Sequence, residues 1–333
     1  MSGMGFIKSI DLSGFTQTRP GETKWGELLK VIRHEEELKT TSARYILLGI
    51  PEDIGIRANG GRAGSASAWW QALTVLCSMP GPDDHQINKL AILGTIICDD
   101  LQEASMGLDW RGPKDQEKFH ELITTLDNRV SQVISNVIAA GKIPIVIGGG
   151  HNNSFGLLKG ASQAINQPMH CLNIDTHADF RALEYRHSGN GFSYAQQQGH
   201  LSKYGILGLQ NAMTSREIHH RLAQHPDLIL TASYESIIDK EQSFAQALET
   251  SLDFVSGQAF GLEIDLDVIA QMGSSAQSPS GFSLEEVRTA LRLIKSHHYC
   301  TYIHLCEGAP ELGTTQNQVA KALALMVYDT VRR

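Results

Sequence analysis

Three short segments gather the side chains able to hold metal ions or move protons. Gly148-Gly149-Gly150-His151-Asn152-Asn153 follows one apolar run, Asp175-Thr176-His177-Ala178-Asp179 a second, and Asp265-Leu266-Asp267 ends a third. Each has a structural alternative. A histidine after three glycines can cap the next helix, and Asp-x-Asp is a common cap or turn former. The Asp-x-His-x-Asp segment resists that explanation, because cap and turn roles cannot use all three side chains. On a strand, residues two apart share a face at about 6.5–7 Å between Cα atoms. Asp175 and His177 can therefore reach two neighbouring ions, with the aspartate between them. Asp179 would lie about 13 Å away on a straight strand, so the chain must turn after His177 to bring it back. Asp265 and Asp267 share a face by the same argument. Two histidines and four aspartates balance two divalent cations and leave room for a hydroxide. Without cysteine among them, carboxylate and imidazole suit manganese or a similar hard-to-borderline ion, with about 3.5–4 Å between the two metals. Nickel and iron fit the same ligand types.

These segments need strands that end together. Short apolar runs over 45–50, 91–97, 143–147, 170–174, 204–209, 228–231, 259–264 and 301–305 alternate with amphipathic stretches over 24–38, 66–77, 116–140, 215–224, 234–255, 284–296 and 317–331. In the third stretch Phe119, Leu122, Ile123, Leu126, Val130, Val133, Ile134 and Val137 recur at helical spacing. Its Ala-Ala-Gly-Lys-Ile-Pro end carries a glycine stop. Strands alternating with helices predict an α/β fold: one three-layer domain with a mostly parallel sheet of about eight strands. Function in such sheets collects at the carboxyl ends of the strands. The expected division is an N-terminal extension with a helix over 1–40, packed on a domain over 41–333. The charged stretch Arg33-His34-Glu35-Glu36-Glu37 reads as a solvated face.

Composition excludes several classes. The chain has 333 residues, a formal net charge of −8, 41% hydrophobic and 19% charged residues. No basic run supplies the phosphate-neutralising charge that nucleic-acid binding requires. The apolar runs are too short to span a bilayer, and the N-terminus lacks the apolar stretch of a secretory signal. Five cysteines, with no Cys-x-x-Cys pair and mostly in apolar segments, predict a reduced, cytoplasmic protein.

The three segments, in this order, resemble the ureohydrolases: arginase, agmatinase and formimidoylglutamase. Gly148–His151 is similar to the first metal-ligand motif of that family, Asn173–Asp179 to the second and Glu263–Asp267 to the third. The resemblance spans residues from about 45 to 315 and implies an arginase-like fold. It implies one manganese on His151, Asp175, Asp179 and Asp265, and another on Asp175, His177, Asp265 and Asp267. His187, in Arg-His-Ser-Gly-Asn, matches the family's proton-transfer histidine. Glu307, in Glu-Gly-Ala-Pro, matches the glutamate that pairs with the cationic amidine or guanidine. A surface or packing histidine and a helix-capping glutamate are the plain alternatives. The stretch Asp53–Gly64, with Asp179-Phe180-Arg181 and His187–Asn190, is most similar to formimidoylglutamase. Two departures are Asn152-Asn153, where formimidoylglutamases usually carry an acid, and Ala270, where many relatives have proline.

The expected activity is hydrolysis of N-formimidoyl-L-glutamate to L-glutamate and formamide, as in histidine degradation. A metal-bridging hydroxide is the expected nucleophile, Asp179 the proton acceptor and His187 a relay to solvent. Arg62 and Arg181 are the candidates for the substrate carboxylates, because guanidinium gives bidentate, charge-assisted contacts. Asn59 and Asn190 are the neutral donors. Arg57 and Arg186 read equally well as salt-bridged to neighbouring acids. The alternatives are a urea-releasing relative acting on a guanidino compound, and a non-catalytic metal-binding relative. A single-zinc deacetylase would need paired histidines beside the metal, whereas His219-His220 and His297-His298 fall on expected helices away from the motifs. The expected partner is a small-molecule amidine or guanidine, without nucleic acid or membrane, and the family resemblance implies a homo-oligomer.

Overall fold

Eight apolar runs, each bounded by polar or glycine-containing turns, form the body of one sheet. The structure, a computed structural model, describes residues 3–82 and 84–332; residues 1, 2, 83 and 333 of the expected division lie outside them. The strands are β1 (Ile7–Lys8), β2 (Lys30–Val31), β3 (Tyr45–Gly49), β4 (Leu90–Ile96), β5 (Ile143–Ile147), β6 (Met169–Ile174), β7 (Leu201–Leu209), β8 (Ile229–Ser233), β9 (Phe260–Asp265) and β10 (Cys300–Cys306). They lie in the order β1-β4-β3-β5-β10-β9-β6-β7-β8, with β2 also pairing β4. Every pairing is parallel except that of β1 with β4. The sheet thus has the eight expected strands and two more, each of two residues, too short to leave an apolar run in the sequence.

Alternation along the central strands builds a core on each face. Tyr45, Leu47, Ile145, Ile147, Leu262, Ile264, Ile303 and Leu305 face one core, shared with the helices Ala68–Ser78, Leu284–Ile294 and Gln318–Val331. Ile46, Leu48, Val146, Cys171, Ile206 and Tyr302 face the other, against the helix Pro113–Ala139. All eight residues of that helix's expected stripe are buried. Gly141, at a φ of 74°, ends the helix as its sequence predicts, and Lys142 N donates to Val137 O at 3.2 Å. The helix Asn153–Ile165, which the periodicity does not announce, packs beside it. Its Gly156 and Gly160 explain both facts: they lower helix propensity, yet a Cβ there would meet Val130 at 2.8 Å and the Ser131 carbonyl at 2.4 Å.

Three expected helices end or break differently. The stretch 24–38 is not one helix but Trp25–Leu28, strand β2 and Glu35–Thr40. Lys30 and Val31 pair with Ala91 and Ile92, because β4 offers an open edge there. Arg33, His34 and Glu36 are exposed, while Ile32 and Leu38 enter the core. The stretch 234–255 splits at Lys240, which takes a φ of 62°, and resumes at the Ser243–Gln246 capping box. The helix expected over 284–296 ends at Ile294, so His297 and His298 stack in the turn before β10. All five cysteines are unpaired and buried. Among the described residues no helix is long and apolar enough to cross a membrane.

Residues before β3 are built into this core. Trp25 is fully buried and meets Tyr328 edge-on at 6.4 Å. Trp25→Ala is expected to lower the unfolding free energy by about 3–5 kcal/mol while leaving one cooperative transition, measured by denaturant titration.

Candidate metal centre and active site

The register lines up the ends of four central strands. Ile147 pairs with Leu305, Leu305 with Ile264, and Ile264 with Ile174. The residues just beyond this row carry the chemistry. After β5, Gly148 and Gly149 take φ values of 90° and 74°. A Cβ on Gly149 would come within 2.2 Å of Asn153 Nδ2 and 2.7 Å of Glu52 Oε1, so the turn requires glycine. It delivers His151, fully buried, beneath the ends of β9 and β6. After β6 the chain passes Asp175 and His177 and bends back at Asp179, whose φ is 44°, as its predicted return requires. Tyr204 holds the bend: its hydroxyl donates to Ala178 O at 2.8 Å and accepts from Asn173 Nδ2 at 2.9 Å.

The six expected ligands converge. His151 Nδ1 lies 2.9 Å from Asp179 Oδ2, 3.2 Å from Asp175 Oδ2 and 3.3 Å from Asp265 Oδ2. His177 Nδ1 lies 2.9 Å from Asp267 Oδ2 and 3.7 Å from Asp175 Oδ1. Ligand atoms of His151, Asp175, Asp179 and Asp265 all fall within 4.8 Å of one another, as do those of Asp175, His177 and Asp267, with Asp175 common to both groups. Asp265, expected in both sets, groups with the first only. Its Oδ1 accepts from Asp267 N–H at 2.8 Å, and its Oδ2 faces His151. The turn-forming alternative is therefore present too: Asp265 caps the turn Leu266–Val268, and Asp175 Oδ1 accepts from His177 N–H at 2.7 Å.

These residues fit cations. Both ring nitrogens of His151 and Oδ1 of Asp267 are buried without hydrogen-bond partners, a state that buried polar atoms rarely keep. Burial first, and then the neighbouring aspartates, push Asp175 up to about 6 against the opposing effect of the nearby His151 ring. The same causes push Asp265 well above the usual carboxylate range. Divalent ions would accept the lone pairs of His151 Nδ1 and Asp267 Oδ1 and offset the repulsion.

A cavity of about 340 Å³ opens over the two groups, with His177, Asp179, Asp265, Asp267 and Glu307 at its base and Asn59 and Arg181 in its wall. Glu307, at a φ of 60° beyond β10, accepts from His151 N–H at 2.7 Å and from the Ser275 hydroxyl. Burial pushes it up to about 8. Arg181 donates to Asn59 Oδ1 at 2.6 Å and pairs with Glu184 at 2.7 Å. Asn59 also donates to the Ser188 hydroxyl. Arg62 is exposed outside the cavity wall and donates to Ser275 O and Gln277 Oε1, on the loop that supplies part of that wall.

Two further expected residues stand outside the cavity. Asn190 does not face the cavity: its Oδ1 accepts from Arg186 and from His187 N–H, and its Nδ2 donates to Tyr185 O. His187 lines a neighbouring cavity of about 240 Å³. Its Nδ1 accepts from Gly189 N–H, which leaves the ring proton on Nε2, 2.9 Å from Glu184 Oε1. Burial holds it down to about 4. Arg57 and Arg186 are ion-paired with Asp53 and Asp127, as their plain alternative predicts.

Sequence reasoning missed three acids. Glu52, fully buried after β3, accepts from Gly150 N–H, Ile54 N–H and both the Asn152 and Asn153 amides, which places an acid beside those two departures. Glu184 bridges Arg181 and His187. Glu263 lies inside a quoted motif, and His304 and His151 hold it down to about 2 against its burial. Only Glu263 had a signal: it sits two residues before Asp265 and so shares its face of the strand. Ala270 donates its N–H to Phe282 O at 3.0 Å, a bond proline could not make.

The sequence profile of the Arginase family matches residues 43–331. The chain belongs to the arginase family. Similar curated proteins include the formimidoylglutamases of Macrococcus caseolyticus, 26% identical over 92% of this chain and 90% of theirs, and of Corynebacterium efficiens, 23% identical over 85% and 83%. Among solved structures, Trypanosoma cruzi formiminoglutamase with Mn2+2 superposes at a TM-score of 0.73 and 20% identity, over 93% of this chain and 98% of that one. Bacillus subtilis formimidoylglutamase superposes at 0.74 and 17%, over 95% and 93%.

The centre of this arginase-family chain carries a stability cost. Asp175 holds its proton more tightly folded than unfolded, so its contribution is present below about pH 4 and is lost as pH rises toward about 6. Asp265→Asn keeps an oxygen for Asp267 N–H and removes one crowded charge. It is expected to stabilise the chelator-treated chain by about 1 kcal/mol at pH 7, with less gain at pH 4, and to forfeit the stabilisation that divalent ions give the unaltered chain. Thermal unfolding with and without chelator checks both. A chelator-treated variant less stable than the parent at pH 7 would contradict the account.

Proposed function

We propose that this chain is a binuclear-metal amidinohydrolase of the formimidoylglutamase type, which hydrolyses N-formimidoyl-L-glutamate to L-glutamate and formamide. The observation that carries the reading is the pair of ligand groups, sharing Asp175, at the base of one cavity that also presents Glu307 and Arg181. The names of the relatives support the substrate. His151, Asp175, Asp179 and Asp265 would hold one manganese, and Asp175, His177 and Asp267 the other. Bound manganese supplies a water acidic enough to ionise near neutral pH and positive charge against the developing anion.

The protein's own residues do the rest. Glu307 is a buried carboxylate whose burial favours its neutral form, and an amidinium cation beside it reverses that preference. Substrate and glutamate thus favour each other's charge and fix the planar carbon over the metal groups. Asp179, with its side chain 14% exposed toward the cavity, takes a proton from the attacking water and returns one to the leaving amine. Arg181 and Asn59 receive a substrate carboxylate. The Arg181–Glu184 pair is about half exposed, and such a pair contributes only about 0–1 kcal/mol, so a substrate carboxylate can displace Glu184. Arg62 reaches the second carboxylate only after leaving Ser275 and Gln277. His187 stands behind this wall, so a proton it carries passes through Glu184 toward solvent. Five unpaired, buried cysteines support a reducing, cytoplasmic setting.

The test is a product assay on manganese-loaded protein. Glutamate and formamide in equal amounts from formimidoylglutamate are expected, and urea from a guanidino compound in their place would overturn the substrate. Glu307→Gln keeps the size of the side chain and removes its charge, and is expected to lower kcat/KM by about 10²-fold or more. Arg181→Ala is expected to raise KM about 10-fold with a smaller change in kcat, the loss of a charged hydrogen bond.

A further inference from the structure

We propose that Glu263, backed by His304, is the positioning residue that fixes the ring of His151 for metal binding; this rests on the binuclear reading above. A histidine that gives its Nδ1 lone pair to a cation keeps its proton on Nε2, and whatever accepts that proton sets the ring's orientation. His151 Nδ1 faces the three aspartates, and its Nε2 faces Glu263 Oε2 at 3.5 Å. Glu263 and Asp265 are two residues apart on β9, so one strand face grips both edges of the imidazole.

Glu263 is itself held firmly. Its Oε1 accepts from the Tyr302 hydroxyl at 2.8 Å, and its Oε2 meets His304 Nδ1. The Tyr302 ring lies so close over Gly261 that a Cβ there would come within 2.0 Å of it. His304 Nε2 faces Gly148 O at 3.1 Å. Both His304 nitrogens therefore face hydrogen-bond partners, Glu263 on one side and the Gly148 carbonyl on the other. The ring thus ties β10 to the glycine turn carrying His151. All of these side chains are fully buried, so water cannot substitute for a missing partner. The Cys306 sulfur is the other group near His151 and Glu263. It is a weak acceptor, and its own proton is directed to Ile264 O at 3.6 Å.

The experiment is manganese titration by calorimetry, with paramagnetic resonance spectra at each step. The unaltered chain is expected to bind two ions and show the spectrum of a coupled pair. Glu263→Gln is expected to bind one of the two ions about 10–100-fold more weakly and to keep the other, held by His177 and Asp267, at its original affinity. At limiting manganese its spectrum is then the six lines of an isolated ion. If Glu263→Gln does not fold, as judged by circular dichroism, the double variant Glu263→Gln with His304→Gln replaces both members of the contact with neutral amides and is expected to show the same selective loss. Cys306→Ala is expected to bind both ions normally. Two-ion binding at unaltered affinity in the Glu263 variants overturns the positioning role while leaving the metal reading intact, and so does a selective loss in Cys306→Ala alone. An unaltered chain that binds no manganese overturns both.

Discussion

Four aspartates and a glutamate share a small volume at the ends of the central strands, at the base of one cavity. Two like charges about 4 Å apart repel by about 4 kcal/mol even at an effective dielectric of 20, and here three carboxylate oxygens surround one histidine nitrogen. No pattern of hydrogen bonds inside the chain answers this crowding: His151 and one oxygen of Asp267 remain without partners. Cations answer it. The aspartates hold their places because the architecture around them gives them no alternative, and a protein that keeps such an arrangement keeps it for its chemistry.

That architecture distributes the strain among four adjacent strands, β5, β10, β9 and β6. Each contributes one side of the centre: His151 after β5, Glu307 after β10, Asp265 and Asp267 on and just after β9, and the Asp175–Asp179 bend after β6. Because β9 and β10 enter the sheet between β5 and β6, segments more than a hundred residues apart in sequence meet within a few ångströms. The register sets how far each side chain reaches. Positive φ at Gly148, Gly149, Asp179 and Glu307 turns each loop inward rather than away. Strained backbone of this kind gathers where function requires it.

Much of this was legible in the sequence, for reasons that differ by residue. The eight main strands announced themselves because a sheet covered on both faces needs unbroken apolar runs. The six proposed ligands were legible because Asp-x-His-x-Asp and Asp-x-Asp place donors at strand spacing, and the bend that Asp179 requires is present. Long-range pairing was not legible. β1 and β2 exist only because β4 has an edge to cover. The helix Asn153–Ile165 is hidden by glycines whose reason is the neighbouring helix. Asn190 looked like a donor for substrate, but its Nδ2 donates to Tyr185 O, and Arg181 meets Glu184, an acid three residues on that the motif did not weigh. Glu52 matters through the glycine turn and the two asparagines it holds, and Glu263 through Tyr302 and His304, partners that only the folded chain brings together.

The central claim, that the crowded aspartates are a two-cation centre, is tested most directly by diffraction from crystals grown with manganese, with data on both sides of its absorption edge. The account expects two anomalous peaks about 3.5–4 Å apart, one against His151 Nδ1 and Asp179, the other against His177 Nδ1 and Asp267, with Asp175 touching both. A single peak, or none at these residues while manganese is present, would contradict it.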